Sequence, residues 1–162
     1  MLLLSAIQSS VFYKILITLG TAMLPIIELR GAIPVGVAFG FSNLESFIIS
    51  YIGNLIPLPF IILFIRKIFK WMKKREGKLA SIARKMEEKG KKHEPQIKKY
   101  GPWGLLIFVA IPLPGTGGWT GALIAALMNM RMKVAMPIIA IGVLIAGVIV
   151  TIVTAGVTFF VS

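Results

Sequence analysis

The chain has 162 residues, 57% of them hydrophobic, and its mean hydropathy is +0.88. That composition excludes an ordinary soluble domain and makes the lipid bilayer the expected solvent. Fourteen of the eighteen Lys and Arg lie between Arg66 and Lys99 with four of the six acids, so this one segment holds +10 of the +12 net charge; it has no nucleic-acid motif, which points to a membrane surface and not to nucleic acid.

The N-terminal residues MLLLSAIQSS lack a basic region followed by an A-x-A-like site, and no removable signal peptide is expected. Val11 to Pro25 is a short apolar stretch that stops at proline, and ELRGAIPVGVAFGFSNLE separates it from Ser46 to Ile65. That second stretch would reach roughly 30 Å as a helix, the thickness of the hydrocarbon layer. Ser42 and Glu45 have the S-x-x-E spacing of a capping box and would start it. Asn54, Pro57 and Pro59 then interrupt it near mid-depth, where freed carbonyls need protein or water.

In the basic segment, Leu79, Ile82, Ala83 and Met86 recur at helical spacing, with Gly90 and Pro95 as stops. An amphipathic helix on the headgroups, with anionic lipids as partners, is one reading. A solvated helix that only sets orientation is the other. Such a density of Lys and Arg places residues 66–101 in the cytoplasm of a multi-pass protein of the cell membrane. Residues 103–130 are apolar around PLPGTGGWTG (112 to 121), and Val134 to Val161 carries no charge and can span. Gly142 with Ala146, and Gly147 with Thr151, place small residues four apart for close helix packing.

The expected fold is therefore an all-α integral membrane protein of two inverted halves. Residues 1–65 hold a hairpin over 11–44 and a spanning helix over 46–65. Residues 66–101 form the basic loop, and 102–162 hold a hairpin over 103–130 and a spanning helix over 134–161. Pro25, Gly31 and Pro34 break the first hairpin, and Pro112 and Pro114 the second. Arg131 and Lys133 fall inside if the second hairpin is re-entrant, whereas Lys14 fits the charge rule poorly. Paired broken segments point to a transporter whose site lies between them. The alternative is four ordinary crossings, with ELRGAIP as a solvated turn.

Glu28 and Arg30 would lie in the apolar part of the first half, where each charge costs about 2.5 to 3.5 kcal/mol and needs a partner or a function. In an unwound Gly/Pro segment they would converge on one cavity; a purely structural ion pair is the alternative. Gly115, Thr116, Gly117 and Gly118, with Thr120, lead into the helical run ALIAALM and form a candidate anion cradle, although a tight turn also explains the glycines. Trp119 packs on a substrate or, more simply, anchors that turn, and Asn54 faces the cavity or bonds carbonyls freed by proline. There is no cysteine, and His93, the single histidine, lies in the basic loop. No metal site, cofactor or enzymatic constellation is expected. The expected partners are the bilayer and a second copy in a homodimer.

ELRGAIPVGVAFG (28 to 40), the basic loop and PLPGTGGWTGALIAAL (112 to 127) together resemble the small multidrug export family over essentially the whole chain. More distantly the chain is similar to the DedA group, whose members have paired re-entrant hairpins and are associated with moving polyprenyl-phosphates or phospholipids in dependence on proton-motive force. By that resemblance Glu28 takes the position of a functional acid. The second hairpin has Thr116, Gly117 and Gly118 where that group carries arginines, with the positive charge at Arg30 instead. The leading expectation is proton-coupled movement of an anionic lipid-phosphate held by Arg30 and the amides at 115–118. Proton-coupled export of a cationic drug opposite Glu28, or a structural membrane subunit, are the alternatives.

Overall fold

The structure, a computed structural model, describes residues 10–74, Ser81, Arg84, 101–113 and 115–161. The described residues are helical, without a strand: α1 (Val11–Met23), α2 (Glu28–Ala38), α3 (Asn43–Leu55), α4 (Pro57–Lys74), α5 (Pro102–Ala110), α6 (Gly118–Leu127) and α7 (Met132–Val161). The helix expected around Leu79, Ile82, Ala83 and Met86, together with Gly90, His93, Pro95 and Pro114, lies outside the described residues.

Two runs are long and apolar enough to cross a bilayer, Asn43–Met72 and Met132–Phe160. Among the shorter helices, α1 and α2 have 13 and 11 residues and α5 and α6 have 9 and 10. At a rise of 1.5 Å per residue these reach only about 14 to 20 Å, short of the roughly 30 Å hydrocarbon layer. Large side chains point outward, among them Ile52, Phe60, Phe64 and Ile152, while Ala22, Ala32, Ala122 and Ala125 are buried. That distribution suits a chain solvated by lipid, where close approach of backbones takes over from hydrophobic burial as the packing force.

One packing unit comprises the chain up to Pro57 together with the part of α7 from Val143. In it α1, α2 and α3 pack on one another. Pro25 disfavours helical backbone at the residue before it, and Leu24 is accordingly extended (φ −73°, ψ 137°), which ends α1. Gly31 and Pro34 do not break the hairpin as the sequence implies. Helix α2 runs through both, because proline forfeits one hydrogen bond without stopping a helix that is packed on its neighbours. The turn lies instead at Leu24–Ile27. Close contact is made at glycine: a Cβ on Gly53 would lie 2.6 Å from the Leu19 carbonyl oxygen, and one on Gly36 would collide with Ser46 Oγ. Gly147 of α7 packs on Phe47 and Leu29.

The capping box is present in full: the Glu45 N–H donates to Ser42 Oγ (3.2 Å), and the Ser42 N–H donates to Glu45 Oε2 (2.8 Å). Ser42→Ala is expected to lower stability by about 1 kcal/mol, read as a fall in the detergent melting temperature. Lys14, the charge that fits the orientation rule poorly, donates from Nζ to the Phe39 carbonyl (2.8 Å) at the C-terminal end of α2. A cation there complements the negative end of the helix dipole.

The second unit runs from Leu58 to Gly142. Helix α5 packs on α6, and Val109 of α5 lies against both Gly121 of α6 and Gly142 of α7. Helix α4 begins after Ile56 and carries on past Ile65 into the basic sequence as far as Lys74, so the helix outlasts the apolar run. The Arg66 guanidinium donates to the Met130 carbonyl just beyond α6.

Candidate functional site

In the first unit the sequence places an acid, Glu28, at the first residue of α2, and the fold puts that position in an apolar turn. The Glu28 N–H donates to the Leu24 carbonyl (2.9 Å) and closes the turn. Its backbone lies in the left-handed region (φ 50°), which an L-residue without a special role rarely adopts. The residue is 5% exposed, whereas Ile26 beside it is 94% exposed. A carboxylate is thus held under backbone strain in an apolar setting, a combination that concentrates at functional positions. Arg30 is half-buried on the same helix and close enough for the two charges to act on each other. Both residues lie in the first turn of a helix and not in the unwound segment expected.

Asn54 is 1% exposed in the last turn of α3, and its Oδ1 has no hydrogen-bond partner. Gly53 beside it abuts Leu19 and Ala22 near the end of α1, so Asn54 lies at the level of the turn that carries Glu28. Pro57 has no N–H to return to the Gly53 carbonyl, which adds a further acceptor at that depth. Thr18, Ser46 and Ser50 are buried in the same packed unit. The spacing of four between Ser46, Ser50 and Asn54 in an apolar helix is the sequence signal for this buried polar row.

The second candidate segment lies in the other unit. Gly115 (φ 82°) and Gly117 (φ 133°) take conformations that favour glycine, and Gly117 and Gly118 are buried at the start of α6. Thr116 Oγ1 donates toward the Ile111 and Leu113 carbonyls (2.7 and 2.8 Å) and accepts from the Leu113 N–H (3.2 Å). A hydroxyl has one proton, and here the loop's own backbone takes it, so Thr116 holds the turn together and leaves no donor for an anion. Thr120 and Trp119 are half-buried in the first turn of α6, and Pro112 is in the connecting segment. Thr116→Val is expected to cost about 1 to 2 kcal/mol of stability, measured by thermal melting, with substrate affinity unchanged in the protein that remains folded.

A family model described as "Putative small multi-drug export protein" matches residues 28–149. No curated protein and no solved structure matches the chain. The match opens on Glu28 and takes in α2 through most of α7, including the glycine- and proline-rich turn before α6. The chain belongs to the small multidrug export family, a family of membrane transport proteins.

Proposed function

We propose that the protein exports small cationic, amphipathic molecules in exchange for protons, with Glu28 binding either the proton or the substrate. The observation that carries this reading is the buried, left-handed Glu28 in the apolar turn of the first hairpin. Ionised, it offers the counter-charge for a cation; protonated, it releases the cation, and binding the two in turn couples their movements.

Both hairpins are read as re-entrant. Their turns support this, since Leu24, Ile26 and Ile27 in one, and Ile111 and Leu113 in the other, are apolar and exposed. Such tips suit the bilayer interior better than the headgroups, where four full crossings would put them. The basic end of α4, with Lys67, Lys70 and Lys74 exposed, is read as the cytoplasmic side, in contact with anionic lipids.

Movement of an anionic lipid-phosphate is the second reading. It is favoured by the start of α6, whose first amides receive no side-chain cap from Gly117, and weakened by the commitment of Thr116 to its own loop. Proteoliposomes with an imposed pH gradient test the choice. Ethidium should accumulate against its gradient, and flux no faster than in protein-free vesicles would overturn the proposal. Flux of a labelled polyprenyl-phosphate in its place would establish the second reading.

A further inference from the structure

Asn43, Ser46, Ser50 and Asn54 are spaced by three, four and four residues. On a helix that spacing forms one row, about 16 Å long from first to last. The row begins at the capped end of α3, where Ser42 and Glu45 are exposed, and ends in the last turn before Pro57. Ser46, Ser50 and Asn54 are buried, whereas Leu44, Ile48 and Ile52 on the same helix are exposed and apolar.

Ser46 Oγ donates to the Ile33 carbonyl (2.6 Å). The other three residues of the row each have a buried oxygen without a hydrogen-bond partner: Asn43 Oδ1, Ser50 Oγ and Asn54 Oδ1. Buried polar atoms are almost always paired, so three orphans in a single file call for something that visits them. Packing alone would be served better by alanine.

The inner end of the file lies toward Glu28, since Gly53 packs on Leu19 and Ala22 just before the Leu24–Ile27 turn that leads into Glu28. The charged groups in the described part of this unit are Lys14, Glu28, Arg30 and Glu45. Lys14 is bonded to the Phe39 carbonyl and Glu45 belongs to the cap of α3, both at the outer end. Glu28 and Arg30 are the charges at the inner end.

We infer that this row is the proton path between the aqueous face where α3 begins and Glu28. The Ser50 hydroxyl both accepts and donates, as a relay requires, and the Asn43 and Asn54 oxygens accept from water or a hydrated proton at either end of it. The inference rests on Glu28 as the titrating group. Ser50 and Asn54 are positioning residues that act through it.

The chain has no cysteine, so single cysteines report access directly. In proteoliposomes, a small cationic methanethiosulfonate reagent applied from the side where α3 begins should modify Ser50→Cys and Asn54→Cys about tenfold faster than Ile48→Cys and Ile52→Cys, since only a hydrated thiol ionises readily. Equal rates would overturn the path. This measurement needs no transport, so it remains decisive even if Glu28 proves not to titrate.

The functional arm compares Ser50→Leu with Ser50→Thr. The leucine should lower pH-driven ethidium uptake about tenfold while ethidium binding stays within about twofold, and the threonine, which keeps the hydroxyl, should restore uptake. Loss of binding together with uptake, or failure of threonine to rescue, would assign Ser50 to packing and overturn the relay.

Discussion

Glu28→Gln is expected to abolish pH-driven export, lowering the driven flux about a hundredfold or more, without unfolding the protein. Glutamine keeps the size and hydrogen-bonding capacity of the side chain and removes only its ability to titrate. Two consequences separate this from a structural ion pair. Binding of a cationic probe should weaken by about 2 kcal/mol or more, because the site loses its counter-charge, and the melting temperature should hold or rise. If Glu28 and Arg30 were only a structural pair, the same substitution would strand the arginine and cost about 3 to 5 kcal/mol of stability, and Arg30→Gln would be as damaging. The double variant is the sharpest comparison. Under the proposal it melts like the wild-type protein and transports nothing; transport by it at a wild-type rate would remove Glu28 from the mechanism. Glu28→Asp, which keeps the charge on a shorter arm, should retain part of the driven flux.

Gly36→Ala is expected to destabilise the first unit by about 1 to 3 kcal/mol. The added carbon would collide with Ser46 Oγ and lie 3.0 Å from both Ser46 Cβ and Thr18 Cγ2, so three helices would have to shift to admit it. Ser46→Ala removes one of those obstacles and also the hydrogen bond that Ser46 Oγ donates to the Ile33 carbonyl. Taken singly, each change destabilises. Taken together they should cost less than their sum by at least about 0.5 kcal/mol, because the first clash disappears with the hydroxyl. Thermal melting of the four proteins in one detergent gives the cycle directly, and strict additivity would show that Gly36 and Ser46 do not share a contact surface.

Much of the architecture was legible in the chain. The long apolar runs, the capping box at Ser42 and Glu45, the interruption before Pro57 and the packing role of Gly142 and Gly147 are local or periodic features, and each appears in the structure. The hairpin turn was less legible. Gly31 and Pro34 look like breakers by propensity, yet the cost of a missing hydrogen bond is small beside the packing of α2 on α1 and α3, and the helix runs through them. Pro25 ends α1 because its effect is steric and acts on the residue before it, which no packing partner can relieve.

The basic segment, the apolar spans and the presence of Glu28 and Arg30 in an apolar half were determined by the sequence alone, because composition and spacing are enough to decide what lipid will accept. The tertiary structure decided which polar groups share a seam. It buried the Ser50 hydroxyl and Asn54 Oδ1 without partners, turned the Thr116 hydroxyl onto its own loop, gave Lys14 a carbonyl across 25 residues of chain, and set Glu28 in a left-handed turn. Those outcomes depend on which helix faces meet, and a face has no meaning until its neighbour is in place.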